Sequence, residues 1–147
     1  MINLLDLNKK ETEAFFEGIG EKKFRAQQTR EWLYRGARSF SEMKNLPKEL
    51  IEKLSSLEET GEISIGGLNT LDMRSSSDGS TVKFLFELND GNTIETVLMK
   101  YKYGNSVCVS SQAGCRMGCR FCASTMLGLK RNLTSGEIIS QVLACLR

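Results

Sequence analysis

The chain has 147 residues, of which 40% are hydrophobic, and its 20 Lys and Arg against 18 Asp and Glu leave a net charge of +2. That length and composition fit one ordinary domain or two very small ones and exclude disorder. The absence of histidine excludes Ser-His and Cys-His nucleophiles, Cys2His2 zinc sites and two-His-one-carboxylate iron sites.

No apolar run approaches the length of a bilayer span, and Met1 to Asp6 lack the basic start and long apolar stretch of a signal peptide. A cytoplasmic protein that does not enter a membrane is expected. Five cysteines, three of them crowded into 115–122, suit a metal in a reducing compartment better than a secreted disulfide framework.

In chain order, the first signal is a capping box: Asn8 followed by Glu11 opens a helix carrying Ala14, Phe15 and Phe16, which Gly18 and Gly20 end. A second helix is predicted from about Phe24 to Tyr34, with Gly36 as its stop. Leu46-Pro47 opens a third, striped by Leu50, Ile51, Leu54 and Leu57. Lys22, Lys23, Arg25, Arg30, Arg35 and Arg38 gather in this helical module. They form either a solvated helix face or a phosphate-binding one. Trp32 and Tyr34 interleave with the charges, although aromatics at helical spacing more often belong to a core.

After Gly61 the period changes to alternation. Ile63, Ile65 and Leu68 to Leu71 read as one strand, and residues 75–79 as a turn. Val82, Phe84, Phe86 and Leu88 share a face, and Asn89-Asp90-Gly91-Asn92 reverses the chain into 93–100, which makes an antiparallel hairpin. A further strand, Ser106 to Ser110, leads into the cysteine loop. Thr134 and Glu137 then cap a helix faced by Ile138, Ile139, Val142, Leu143 and Leu146. Strand, loop and helix in this order read as the opening unit of a βα repeat. Because the helix is still running at Arg147 and one such unit cannot close a barrel, an amino-terminal fragment of a larger enzyme is expected.

The chemistry concentrates in Cys115, Cys119 and Cys122, spaced C-x3-C-x2-C. Three thiolates suit three irons of a cubane and leave the fourth open to a substrate or cofactor. Three alternatives stand beside this reading: a zinc knot that adds Cys108, a redox pair Cys119/Cys122, and buried structural thiols. Zinc would more naturally use two separated C-x2-C knuckles, and a thiol oxidoreductase would need a thioredoxin-like βαβ setting. Arg116, Arg120, Lys130 and Arg131 flank the cysteines and could meet phosphate.

The run from Cys108 through Cys115, Cys119 and Cys122 to Ser124, then Gly128 to Thr134, resembles the RlmN/Cfr family of radical S-adenosylmethionine (SAM) RNA adenine methyltransferases. Glu31-Trp32-Leu33-Tyr34 and Phe40 to Pro47 are similar to the family's helical amino-terminal domain, and Gly91 to Val97 to the strand before its barrel. The resemblance implies an α+β chain leading into α/β. Residues 1–60 would be a helical RNA-binding accessory domain, 61–104 a β-hairpin linker region, and 105–147 the first βα unit of a truncated radical SAM partial (βα)6 barrel.

It further implies that Cys115, Cys119 and Cys122 hold a [4Fe-4S] cluster, with SAM on the open iron and a 5'-deoxyadenosyl radical as the product of its cleavage. Phe121 matches an aromatic position beside cluster or cofactor. Cys108 matches a thiol that releases a covalent enzyme–RNA intermediate, after a methyl group carried on a further cysteine has been added to the base. Glu95 matches a carboxylate near that base, while Cys145 matches no motif and is expected in the core.

The implied partners are 23S rRNA and tRNA, with a reducing protein such as flavodoxin or ferredoxin, and the implied full-length protein is a monomer. Arg116-Met117-Gly118-Cys119 and the amino-terminal stretch favour adenine C2 over the C8 of the Cfr branch. A zinc-stabilised RNA-binding module without catalysis is the alternative from a different class. The 147 residues alone are expected to be inactive, because the family's later SAM-binding stretches and its methyl-accepting cysteine have no counterpart in them.

Overall fold

The computed structural model describes residues 1–146 and divides into two compact units, Met1–Gly67 and Leu68–Cys145. In the first, the strand β1 (Ile2–Asn3) pairs in parallel with β2 (Ile63–Ser64), tying the two ends of the helical module together. Between them lie α1 (Lys9–Gly18), α2 (Lys23–Tyr34) and α3 (Lys48–Glu59).

The capping box at α1 is formed as expected: the Glu11 N–H donates to Asn8 Oδ1 at 3.0 Å, and the Asn8 N–H donates to Glu11 Oε2 at 2.7 Å. All three helices end in one way. Gly20, Gly36 and Gly61, at φ of 82°, 85° and 75°, turn the chain left-handed, and the next residue's N–H returns to the carbonyl five residues back. Phe16, Leu33, Phe40, Met43, Leu50, Leu54 and Ile63 fill the core between these elements.

The stretch expected as one strand from Ile63 to Leu71 is two. Gly66 and Gly67 both have positive φ, and this bend separates β2 from β3 (Asn69–Ser75), which belongs to a different sheet. The expected hairpin is the middle of a four-stranded antiparallel meander in the order β3, β4 (Thr81–Glu87), β5 (Thr93–Tyr101), β6 (Gly104–Cys108). The sheet therefore runs without a break across residues 104 and 105.

Beyond β6 the order differs from the expected strand, loop and helix. The strand before the cysteine loop is the short β7 (Gln112–Gly114), and it pairs antiparallel with β8 (Leu129–Asn132) on the loop's far side before α4 (Ser135–Cys145) begins. The physical reason is pairing: a parallel strand needs a parallel neighbour, and β7 satisfies its backbone groups with β8 instead. The helix ends at Cys145: Leu146, expected on its buried face, lies in a turn and is 69% exposed, and Arg147 lies outside the described residues.

Phe86, Leu88, Ile94, Ala113 and Leu133 form the second unit's core, with Ile138 and Ala144 of α4 packed against it. The Thr134–Glu137 capping box is present. Among the described residues no helix is long and apolar enough to cross a membrane.

Candidate active site

Along β5 the residues alternate strictly: Ile94, Thr96 and Leu98 are buried, while Glu95 faces the open side of the sheet. Cys108 on β6 stands directly opposite Val97, two residues from Glu95 and on the same face. The meander thus brings the two expected catalytic residues, 13 positions apart in the sequence, to one exposed surface. Lys83 on β4 reaches across to Glu95 at 2.7 Å.

The chain leaves β6 under the control of α4. Gln141, fully buried, accepts hydrogen bonds from the Ser110 N–H at 2.8 Å and the Thr96 hydroxyl at 2.7 Å, and its amide donates to the Ser110 carbonyl at 2.8 Å. The Ser110 hydroxyl donates to the Glu95 carbonyl at 2.7 Å. One glutamine therefore fixes the segment that links Cys108 to the cysteine loop. Sequence reasoning missed it, although a polar residue on the apolar face of α4 was the available signal.

The loop itself, 115–128, is closed at its neck. The Cys115 N–H donates to the Gly128 carbonyl at 3.2 Å, and Gly114 lies at φ 76° with that same carbonyl oxygen where a Cβ would stand. No side chain fits there. Within the loop the Cys122 N–H donates to the Cys119 carbonyl at 3.1 Å, and the Thr125 hydroxyl donates to the carbonyls of Cys122 and Cys119.

All three thiols are free; Cys119 is exposed, and Cys115 and Cys122 are half-buried. Among the described residues no three Cys, Asp, Glu or His side chains converge on one metal position. The donor set nevertheless fits an iron–sulfur cluster in kind and number: three unpaired thiols on a single solvent-open loop. Phe121, expected beside a cofactor, is 94% exposed, and Met117, Met126 and Leu127 are exposed with it. Cys145, expected in the core, is half-buried, and burial pushes its thiol pKa up.

A cleft of about 310 Å³ lies beside the neck, lined by Glu95, Ser110, Gly114, Ala123, Ser124, Gly128 and Lys130. It joins the base-facing carboxylate expected at Glu95 to the residues that flank the first and third thiols. Of the four basic residues near the cysteines, Arg116, Arg120 and Lys130 are exposed.

Arg131 departs from the expectation of phosphate contact. Its guanidinium grips Glu137 with two hydrogen bonds at 2.7 and 2.8 Å and Asp90 with a third at 2.6 Å. These contacts hold both carboxyls below their ordinary range and raise the arginine. It is a brace between the β4–β5 turn and the start of α4. In the helical unit, Arg30 is likewise committed, donating to the Leu7 carbonyl at 2.6 Å and to Thr12 Oγ1 at 3.1 Å. Lys22, Lys23, Arg35 and Arg38 remain exposed.

Residues 2–60 match the family model described as ribosomal RNA large subunit methyltransferase N-terminal domain. The chain is 52% identical over 143 residues to a probable dual-specificity RNA methyltransferase RlmN of Clostridium botulinum, covering 97% of this chain and 40% of that protein. A protein of the same description from Desulforamulus reducens is 52% identical over 147 residues, covering 99% of this chain and 41% of its own length. The crystal structure of a radical SAM methyltransferase from Sphaerobacter thermophilus superposes with a TM-score of 0.88 at 41% identity, over 98% of this chain and 41% of that one. The chain thus spans about two-fifths of the length of the curated relatives it matches.

Proposed function

From the family-model match over residues 2–60 and the 52% identity to a probable RlmN, we propose that the chain is the amino-terminal portion of an RlmN-family protein and forms part of a radical SAM enzyme that methylates C2 of an adenosine in 23S rRNA and in tRNA. The observation that carries the reading is the 115–128 loop, where three free thiols on one exposed segment adjoin a cleft containing Glu95. Cys115, Cys119 and Cys122 would hold a [4Fe-4S] cluster. Such a cluster would supply, together with SAM, reductive and radical-generating chemistry.

This chain's own residues prepare the surroundings. Gly114 lets the backbone close to Gly128, so that the thiols project from a fixed neck. Phe121, free of packing in this structure, has its whole ring available to cover a cofactor and exclude water. Glu95 is placed to hydrogen-bond the target adenine or move a proton at it, with Lys83 steadying the carboxylate from the neighbouring strand.

Cys108, on the same sheet face, would attack as a thiolate the sulfur of the cysteine that carries the RNA adduct: the S–S bond forms, the S–CH2 bond to the base breaks with its electron pair left on carbon, and that carbon takes a proton to become the methyl group, the two sulfurs being oxidised as the carbon is reduced. The remainder of a partial (βα)6 barrel, with the methyl-accepting cysteine, would be supplied by residues beyond these 147, and the 147 alone would not turn over. A cytoplasmic site of action, with a flavodoxin- or ferredoxin-like electron donor and a monomeric enzyme, completes the reading.

The test is methyl transfer from labelled SAM to rRNA and tRNA by the full-length protein that carries these residues, with the product located by mass spectrometry. We expect 2-methyladenosine, turnover lowered by about 10²–10⁴ in Glu95→Gln, and a trapped protein–RNA adduct in Cys108→Ala. Methylation at C8, or full activity in both variants, refutes the assignment.

A further inference from the structure

The β5–β6 turn carries Lys100-Tyr101-Lys102-Tyr103, a group of residues the thiol chemistry does not use. The two tyrosine rings stack on each other, with centroids 5.0 Å apart and planes at 7°. Their exposures are 47% and 82%. A stacked pair of this kind helps to hold a tight turn, but that role occupies only one face of Tyr103 and leaves the other open to solvent.

Lys100 and Lys102 are both exposed, and among the described residues neither forms an ion pair. The turn is anchored, because the Lys100 N–H donates to the Ser80 carbonyl at 2.7 Å. The neighbouring turn's carboxylate, Asp78, is occupied with the Ser76 and Ser80 hydroxyls and the Ser80 N–H. Both lysines are therefore left without a local counter-ion.

We propose that this turn is a docking platform for single-stranded RNA, in which an unpaired base stacks on the outer face of Tyr103 while Lys100 and Lys102 meet the flanking phosphates. Aromatic rings interleaved with unpaired lysines on an anchored, exposed turn supply both parts of such recognition: a π-face that accepts any base and charge that follows the backbone. The inference rests on the RNA-modifying reading and adds a substrate contact to it. Tyr101 lies six residues along β5 from Glu95, roughly 20 Å at strand spacing. The platform would thus grip nucleotides away from the one being modified.

The experiment titrates the 147-residue chain against a fluorescein-labelled oligoadenylate of about twelve nucleotides, a length within the usual range of single-strand sites, and against the same strand in a duplex with oligouridylate. Anisotropy is read at several salt concentrations. We expect Tyr103→Ala to weaken single-strand binding roughly tenfold, as loss of one base stack does, and Tyr103→Trp to preserve or tighten it. Lys100→Gln with Lys102→Gln should reduce the salt slope by about 1.4, the share of two single-strand phosphate contacts.

Tyr103 is so exposed that the variants should keep the parent's circular dichroism. Binding by Tyr103→Ala within twofold of the parent, or equal affinity for the duplex, overturns this inference alone. A parent chain that binds no RNA overturns it together with the RNA-modifying reading.

Discussion

Gln141→Leu tests the role of α4 as the positioner of the segment that links Cys108 to the cysteine loop. The substitution nearly conserves volume, so the cavity term is small. What it removes is an acceptor shared by the Ser110 N–H and the Thr96 hydroxyl, and a donor to the Ser110 carbonyl. Each buried polar group left unsatisfied costs about 1–3 kcal/mol. Thr96 is fully buried, whereas Ser110 is half-buried and can recruit water, so its two groups belong at the low end.

Set against the gain from a buried leucine, a net loss of about 2–3 kcal/mol is expected, a large part of the stability of an ordinary small domain. Urea unfolding followed by circular dichroism should show it as a midpoint lowered by about 1–2 M. Hydrogen exchange of the 108–114 peptide should accelerate by roughly 30- to 150-fold, the factor that the same free energy implies. A loss below about 0.5 kcal/mol, or unchanged protection of Ser110, would show that the segment is held by something other than this glutamine.

Three further outcomes follow from named contacts. Gly114→Ala should lose about 3 kcal/mol or more, because the added methyl must displace the Gly128 carbonyl at a left-handed position; near-parent thermal stability would show that the loop neck is looser than described. Arg131→Met should cost about 1–3 kcal/mol, discounted from a fully buried pair because Asp90 is 41% exposed, while Glu137 at 16% contributes most. The depressed Glu137 and Asp90 carboxyls also fix the sign of a pH effect. Their contribution is complete above their unfolded values near ~4 and is lost as pH falls through the folded ones, so the parent should hold its unfolding midpoint down to about pH 5 and then decline. In Arg131→Met that acid decline should flatten, and an equally steep decline would refute the brace.

The helical unit was legible in the sequence because its signals are local. Asn8 with Glu11, Pro47, and glycines at positions 20, 36 and 61 each act within one helical turn, and the structure uses every one of them. The sheet was legible where it has a buried face: the alternation of Val82, Phe84, Phe86 and Leu88 marked β4, and the Asn89–Asn92 reversal that follows placed β5. By contrast β3 is exposed along its whole length, so no buried alternation marked it, and β1, at two residues, carries no periodicity at all.

The same limit explains the strand before the loop. Val107 and Cys108 do form a strand, but it is the largely exposed second arm of a tight hairpin with β5 closed by Lys102-Tyr103, and neither buried alternation nor an Asn-Gly-type turn pair marks its bounds. At the site, spacing exposed the three thiols, whereas Gln141 and Arg131 act through tertiary hydrogen bonds that only the folded chain brings together. Arg131 looked like a phosphate ligand because its two carboxylate partners lie 41 residues before it and 6 after it.

The central claim, that Cys115, Cys119 and Cys122 hold an iron–sulfur cubane, is tested most directly by anaerobic assembly of this chain with ferrous iron and sulfide, followed by iron and acid-labile sulfide analysis and Mössbauer spectroscopy. The account predicts a brown protein with about four irons and four sulfides per chain, with the cubane lost in Cys115→Ala, Cys119→Ala and Cys122→Ala and kept in Cys108→Ala. A colourless product that takes up zinc in preference to iron, or an iron content unaffected by these substitutions, would contradict it.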